Sequence, residues 1–328
     1  MQIIIDTADT KITVKNKCFL IENKSTSRQI SPKRLTSMAI TTNCTLNAAA
    51  IKLAAHNQVP ILFFNNFGTI QARLWSPWFT NIADLRKKQM RFADSHHATE
   101  WVVYILKLKT AEQIANLRKL ARRKPALSAR AEDAIGKIKL IAHKLDRIKN
   151  TPADQVRNTL MGLEGSISRH YFGALGRFLP ENFRFIKRTR RPALDFFNSG
   201  LNYLYGMTYS VVEGGVFAKG LDPFIGLLHT DFYKRTSLVF DLIEPVRPLI
   251  DRLLIQLILN GALSAEHFVP KEQGFWLSKK GKRIIIPSFN EYLHKRIKFR
   301  NSVLRLKDHI YMLSNELGNL INETYPEI

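Results

Sequence analysis

Cysteine is scarce in this sequence, and its scarcity excludes two ways of stabilising a fold. Cys18 and Cys44 are the only cysteines among 328 residues. A disulfide framework needs more cysteines, and a structural zinc site needs them in pairs at short spacing. We therefore expect two buried, reduced thiols and a fold held together by its hydrophobic core.

Long hydrophobic runs are also missing. The most apolar stretch, from Leu253 to Leu263, is shorter than the ~20 residues that a helix needs to span a bilayer. The first residues, Met1 to Asp6, form too short a run for a signal peptide. No glycine-rich phosphate-binding loop follows a predicted strand, so nucleotide hydrolysis is not supported. We expect a soluble, cytoplasmic protein without a membrane partner.

Acidic residues are few compared with basic ones. The chain has 27 Asp and Glu against 50 Lys and Arg, a formal net charge of +23. Such an excess attracts polyanions over long distances, so nucleic acid is the leading predicted partner. An anionic membrane surface is the alternative, but no lysine-rich tail lies beside an apolar anchor.

The periodicity of the sequence divides the chain into two predicted domains. Residues 1–76 contain short alternating runs rich in Ile, Val, Thr and Phe, with one helical stretch. Beyond the proline-containing segment Trp75 to Thr80 the hydrophobic period becomes 3.6, which is typical of helices. The predicted fold is therefore α+β, with a small β-rich domain followed by a larger, nearly all-helical domain at residues 77–328.

Local signals place several elements of the second domain. Pro152 and Asp195 are predicted to begin long helices, and Asp222 with Pro223 a helix that carries His229. Gly274 to Pro287 reads as a small hairpin. Ser288 to Glu291 matches a capping box, which predicts a final helix reaching about Asn319.

One histidine and three carboxylates interrupt apolar segments of this domain. Ionised groups are costly in apolar surroundings unless a partner compensates them, and a divalent cation is the obvious partner. Asp241 and Glu244, three residues apart, would share one face of a helix, while Glu164 interrupts a long helical pattern and His229 follows Gly226-Leu-Leu. Oxygen ligands with one imidazole suit Mg²⁺ or Mn²⁺ better than structural zinc.

Each of these residues also has a purely structural interpretation. Glu164 alone would be a carboxylate on a solvated helix face, and His229 alone a core histidine. Asp241 alone could pair with Arg235 or Arg247. Their occurrence together favours a functional site, because unpaired acids gathered in an apolar environment destabilise a protein.

A basic loop with interleaved aromatic residues precedes the helix at Asp195. Without other information it would be a solvated surface, but the overall charge favours contact with DNA or RNA. Guanidinium groups can also bind two phosphate oxygens at once. The candidate DNA-binding residues are Arg184, Lys187, Arg188, Arg190, Arg191 and Arg247.

Four ordered motifs carry a resemblance to a known family. They are Glu164-Gly-x-x-x-Arg-His-Tyr-Phe, Arg190-Arg-Pro-Ala-Leu-Asp-Phe-Phe-Asn, Gly220-Leu-Asp-Pro-x-x-Gly-x-Leu-His229 and Leu238-x-x-Asp241-Leu-x-Glu244-Pro-x-Arg247-Pro. Together with Ile30-Ser-Pro-Lys-Arg-Leu in the β-rich part, they resemble the CRISPR-associated integrase family called Cas-one. The resemblance covers nearly the whole chain.

The resemblance implies a metal-dependent DNA endonuclease and integrase that dimerises through its N-terminal β-domain. Glu164, His229 and Glu244 match the family's metal ligands, and Asp241 matches a neighbouring acidic position with a less direct role. The family often has Asp where this chain has Glu244, so the side chain that carries this carboxylate to the ion is longer by one methylene. The implied partners are DNA, a second copy of the chain and the companion protein Cas-two.

The reaction implied by the resemblance is the insertion of short DNA duplexes into a CRISPR array, as part of antiviral defence. A DNA 3′-hydroxyl would attack a phosphodiester at the repeat. Two alternatives remain open at this point: a non-catalytic, basic nucleic-acid-binding scaffold, and a metal-dependent nuclease without integration.

Overall fold

The computed structural model describes residues 1–35, 37–64, 70–74, 82–229 and 235–326. The chain forms two compact units, Met1–Thr80 and Asn81–Ile328. The first unit is rich in strands and the second is mostly helical, so the predicted α+β fold class is confirmed. The segment at which the sequence predicts a boundary, residues 75–80, lies outside the described residues.

Two four-stranded sheets, one α-helix and a short 3-10 helix at Pro32–Arg34 make up the described part of the N-terminal unit. The elements are β1 (Gln2–Ile5), β2 (Thr10–Lys15), β3 (Cys18–Glu22), β4 (Ser27–Ile30), β5 (Ser37–Ile40), β6 (Cys44–Leu46), α1 (Ala48–His56), β7 (Ile61–Phe64) and β8 (Ile70–Leu74). One sheet has the order β1-β5-β7-β8 and the other the order β4-β3-β2-β6. The strands β7 and β8 pair antiparallel, and their predicted junction at residues 65–68 lies outside the described residues.

Alternation along the strands builds the core of this unit. Ile12 and Phe19 are fully buried, and the tight turn between their strands uses Asn16 and Lys17 with φ of 51° and 57°. Both values lie in the left-handed region that two-residue hairpin turns require. The two cysteines are reduced as predicted, but they are half-buried instead of buried.

Helices dominate the second unit. Its elements are α2 (Ile82–Ala93), α3 (His96–Arg123), α4 (Ser128–Leu145), α5 (Ala153–Phe178), α6 (Phe196–Lys219), α7 (Ser237–Leu242), α8 (Arg247–Leu259), β9 (Phe268–Lys271), β10 (Gly274–Leu277), α9 (Lys279–His294), β11 (Arg296–Phe299), β12 (Ser302–Arg305) and α10 (Leu306–Thr324). Helix α3 packs against α4, α5 and α8, while α6 packs against α7, α8 and α10. Across the described ranges, no helix is long and apolar enough to cross a membrane.

The predicted hairpin at Gly274 to Pro287 is wrong in its second half. The strand β10 pairs antiparallel with the preceding strand β9. The helix α9 begins at Lys279, where the Ser278 side chain caps it by accepting a hydrogen bond from the Gly281 amide. The helix continues past Pro287, so the capping box expected at Ser288 does not exist. The apolar run before Pro287 has high strand propensity, but complete burial of Ile285 on the helix determines its conformation.

The final predicted helix is interrupted as well. The strands β11 and β12 form a hairpin between α9 and α10, so the last helix begins at Leu306. The turn between these strands places Arg300 at φ 59°.

The segment that carries His229 is not the predicted helix. Residues 221–229 form turns and bends, and Gly226 lies so close to its neighbours that an added Cβ would be 2.3 Å from the His229 carbonyl oxygen. Nearby, α7 ends at Leu242 and α8 begins at Arg247, with Pro248 in its first turn. Glu244 and Pro245 lie in the turn between the two helices.

Candidate functional site

A cleft of about 380 Å³ in the helical unit gathers most of the predicted site residues. Glu164, His229 and Glu244 all line it. So do four of the six predicted DNA-binding residues, namely Lys187, Arg188, Arg190 and Arg247. The other two, Arg184 and Arg191, are exposed and do not line the cleft. Asp241 does not line it either, because it is completely buried behind His229.

The long helix α5 supplies Glu164. Four residues later on the same face, the Ser168 hydroxyl donates a hydrogen bond to Glu164 Oε1 at 2.8 Å. Gly165 lines the cleft beside them. Side chains three or four residues apart share a helix face, so this arrangement follows directly from the sequence.

Glu244 is a buried carboxylate between two cationic side chains. Arg247 Nε donates to Glu244 Oε1 at 3.0 Å, and Lys109 Nζ donates to Glu244 Oε2 at 2.6 Å. Burial alone would raise the pKa of this carboxyl, but Arg247 and Lys109 lower it to about 2. Glu244 is therefore ionised throughout the neutral pH range.

Lys109 is a residue of the site that the sequence interpretation did not identify. It lies on α3, is only 5% exposed, and donates through Nζ to Glu164 as well as to Glu244. Burial alone would lower the pKa of this ammonium, yet Glu164 and Glu244 raise it above its usual value. The available signal was a polar stripe at helical spacing, Lys109, Gln113 and Asn116, all three of which are buried.

Asp241 and Glu244 do not point to a common place, which corrects the expectation that one ion could reach both from one helix face. Asp241 accepts hydrogen bonds from the backbone amides of residues 227, 228 and 229 at 2.6 to 3.1 Å. Its Oδ1 is also 2.7 Å from His229 Nδ1. The nest of amides requires the turn conformation of residues 221–229, and for this reason the predicted helix does not form there.

The contact with Asp241 determines the chemistry of the imidazole. An ionised carboxylate accepts the Nδ1 proton of the neutral ring, which leaves the lone pair on Nε2. A carboxylate behind a histidine is the usual arrangement by which proteins orient a metal-binding imidazole. Asp241 does not pair with Arg235 or Arg247, and Arg235 stacks over the Phe240 ring at 4.7 Å instead.

The donor set fits a divalent cation in part. Glu164 and Glu244 converge on one positive centre, which is the Lys109 ammonium, and Gln113 in the same cleft has a buried Oε1 without a hydrogen-bond partner among the described residues. Hard oxygen ligands of this kind suit Mg²⁺ and Mn²⁺. Within the described part of the chain, however, no three His, Cys, Asp or Glu side chains are already close enough to hold a metal ion.

Two arginines are held in place on one aromatic ring beside the carboxylates. The guanidinium groups of Arg188 and Arg247 lie 5.4 Å and 4.7 Å from the centroid of Tyr205. Arg188 also donates to the side-chain oxygens of Asn198 and Asn202, at 2.8 and 2.6 Å. These contacts remove much of the conformational freedom that an arginine loses on binding a phosphate.

Comparisons with known proteins identify the family of the chain. The family model described as "CRISPR associated protein Cas1" matches residues 3–291. The "CRISPR-associated endonuclease Cas1 1" of Archaeoglobus fulgidus is 27% identical over 332 residues, covering 97% of this chain and 95% of the relative.

Two solved structures share the fold at lower sequence identity. A Cas1 protein from Thermotoga maritima superposes with a TM-score of 0.78 at 22% identity, covering 98% of this chain and 96% of that one. A casposase bound to integration product superposes with a TM-score of 0.82 at 22% identity, covering 100% of this chain and 92% of that one. The match of the family model over most of the chain agrees with the resemblance in the sequence motifs, and the chain belongs to the Cas1 family.

Proposed function

We propose that this protein is a divalent-metal-dependent DNA nuclease and integrase that inserts short duplexes into a CRISPR array. The observation that carries the proposal is the convergence of the Glu164 and Glu244 carboxylates in a cleft with His229, beside anchored arginines. The family membership and the name of the Archaeoglobus relative as an endonuclease support it. The net charge of +23 supports DNA as the substrate.

Glu164, Glu244 and the Nε2 atom of His229 are the groups that would hold Mg²⁺ or Mn²⁺. When bound, such an ion polarises a phosphoryl oxygen and stabilises the negative charge of the transition state. Asp241 would keep the Nδ1 proton on the histidine, so the Nε2 lone pair would be available to the ion. The neutral imidazole adds no further negative charge near the phosphate.

The chain's arginines would orient the DNA. Arg188, held by its two asparagines, and Arg247, held by Glu244 and by the Tyr209 hydroxyl at 2.7 Å, provide fixed donors for phosphate oxygens. Arg190 and Lys187 are exposed at the edge of the cleft and would contact phosphates farther along the strand.

The proposed reaction exchanges one phosphodiester for another. The oxygen of an attacking 3′-hydroxyl forms a bond to phosphorus and loses its proton. The bond from phosphorus to the displaced 3′-oxygen breaks, and that oxygen takes up a proton. Because the number of phosphodiester bonds is unchanged, no nucleotide energy source is needed. Water in place of the 3′-hydroxyl would give strand cleavage.

Substitution of Glu164 tests the proposal. We expect Glu164→Ala to abolish joining of a duplex to a repeat-bearing plasmid while leaving most duplex binding intact. Glu132→Ala, which removes an exposed carboxylate on α4, is the matched control and should keep wild-type joining. Wild-type joining by Glu164→Ala would exclude this residue from the mechanism.

The two alternatives give different results in the same assay. A non-catalytic scaffold would bind DNA with or without EDTA and would form no product. A nuclease without integration would cut in the presence of metal but give no joined product from duplexes with 3′-hydroxyl ends. We expect joined product that disappears with EDTA and with 3′-deoxy ends.

The assembly is proposed from the family resemblance. Residues 1–76 would form the dimer contact and residues 77–328 the catalytic domain, with Cas-two as the companion protein.

A further inference from the structure

A buried ammonium group lies between the two acidic side chains of the cleft. Lys109 Nζ donates to Glu164 Oε1 and, at 2.6 Å, to Glu244 Oε2. A metal ion held by both glutamates at the position of this ammonium would use the same two oxygen atoms. The ammonium and a divalent ion therefore compete for the same oxygens.

Both oxygens of Glu244 are already engaged by cations. Arg247 Nε binds Oε1 at 3.0 Å, and Lys109 binds Oε2. The two basic side chains balance the charges of Glu164 and Glu244, so a divalent ion added without displacement would leave two uncompensated positive charges in a buried place. Such an excess is strongly unfavourable at low dielectric constant. One of the two cations must leave when a metal ion enters.

Lys109 is the cation that can leave more easily. Arg247 is held by the Tyr209 hydroxyl at 2.7 Å and by the ring of Tyr205 at 4.7 Å, in addition to Glu244. The ammonium of Lys109 is a point charge on a flexible four-carbon stem, which can move away by rotation of its side chain. A DNA phosphate in the same cleft would offer it a new anionic partner.

We propose that Lys109 is a positioning residue that occupies the place of the metal ion in the metal-free protein and couples metal binding to DNA binding. The proposal rests on the proposed function. Without DNA, the metal ion must displace the ammonium into a cleft that offers it no phosphate. With DNA, the displaced ammonium pairs with a phosphate. By linkage, each ligand then raises the affinity for the other by the same factor.

The experiment measures the affinity of the full chain for Mn²⁺ with and without a short duplex, using electron paramagnetic resonance of free Mn²⁺ and a subtraction for DNA alone. For the wild type we expect the duplex to tighten Mn²⁺ binding by about tenfold, within the roughly 5- to 150-fold range of coupled sites. For Lys109→Met, binding without DNA should already be about tenfold tighter than in the wild type, and the duplex should add less than about twofold.

Lys107→Met is the matched control. Lys107 lies on the same helix but pairs with Asp146 on the surface, so its removal should leave both the Mn²⁺ affinity and the effect of DNA at wild-type values. Lys109→Gln, which keeps a hydrogen-bond donor without the charge, should behave like Lys109→Met. Unchanged or weaker Mn²⁺ binding in both Lys109 variants would overturn the proposal.

A measurement on the wild type covers the case in which the Lys109 variants fail to fold. Amine-reactive labelling read by mass spectrometry should show Lys109 protected in the metal-free protein, and labelled faster once Mn²⁺ is added. Equal labelling with and without Mn²⁺ would contradict displacement. If no variant binds Mn²⁺ even with DNA present, the proposed function is overturned as well. If joining depends on metal but the Lys109 variants bind Mn²⁺ with wild-type affinity, only the role of Lys109 is overturned.

Discussion

Asp251 is an acidic residue of the cleft that the fold buries almost completely. It is 1% exposed, and Tyr205 donates its hydroxyl proton to Asp251 Oδ1 at 2.6 Å. Burial raises the pKa of this carboxyl to about 6, although hydrogen bonds from Tyr205 and Tyr171 oppose the rise. Because the guanidinium groups of Arg188 and Arg247 lie over the Tyr205 ring, Asp251 supports the ring that holds these two arginines.

This raised pKa predicts a dependence of stability on pH. Between about pH 4 and pH 6, the folded protein keeps a proton on Asp251 that the unfolded chain has lost. The contribution of Asp251 to the free energy of unfolding therefore falls as the pH rises through this range, by about 3 kcal/mol at most for a folded-state pKa of about 6. In Asp251→Asn this contribution is absent.

Urea unfolding of the full chain at about pH 4 and at about pH 7 measures the effect. Relative to the wild type, Asp251→Asn should gain stability as the pH rises. The control is Asp133→Asn, which removes an exposed ion pair with Lys137 and should change the free energy of unfolding by less than about 1 kcal/mol at both values. If the free energies of unfolding of Asp251→Asn and the wild type differ by the same amount at both pH values, the pKa of Asp251 is not raised.

At the scale of elements, the turn at residues 221–229 and helix α7 act as one unit. The turn supplies three amide donors, and α7 supplies the carboxylate of Asp241 that binds them. Gly226 allows the close approach, because a Cβ there would lie 2.6 Å from Ser237 Cβ. The position of His229 therefore depends on a glycine three residues before it.

We expect Gly226→Ala to destabilise the protein by about 1–3 kcal/mol, the usual cost of overpacking, and to reduce strand joining by moving His229. Gly136→Ala on α4 is the matched control: its added Cβ meets nothing within 4 Å, and helix propensity should make it neutral or stabilising by up to about 1 kcal/mol. Thermal unfolding and the joining assay report the two effects. Wild-type stability and wild-type joining in Gly226→Ala would show that the turn accommodates the added Cβ without moving His229.

Local signals in the sequence predicted some elements well. The α6 helix begins after Asp195, whose side chain accepts a hydrogen bond from the Asn198 amide at 2.7 Å, as the capping pattern indicates. The α9 helix was missed, because the strand propensity of its isoleucines is outweighed by the burial of Ile285 in the tertiary structure. Capping is a contact within a few residues, whereas burial depends on distant partners.

At the scale of the whole molecule, the net charge of +23 should make DNA binding strongly dependent on salt. Each phosphate contact adds about 1 to the slope of log affinity against log salt concentration. We expect Arg190→Ala, which removes an exposed charge at the edge of the cleft, to weaken duplex binding and to reduce this slope by about 1.

Fluorescence anisotropy with a labelled duplex, over a series of salt concentrations, provides the measurement. Arg190→Lys keeps the charge and should keep the slope, so it separates the loss of a phosphate contact from an unrelated change of structure. An unchanged slope in Arg190→Ala would mean that this side chain binds no phosphate.

The sequence by itself determined the fold class, the family motifs and three of the residues that line the cleft, Glu164, His229 and Glu244. These features depend on periodicity and on residue types, which can be read from neighbours along the chain. Only the tertiary structure decided which charges meet. Lys109 is separated by 55 residues from Glu164 and by 135 residues from Glu244, and helix packing alone brings its ammonium to both. The same packing turns Asp241 toward the amides behind His229 and away from Glu244, because buried donors and acceptors must find partners wherever the fold provides them.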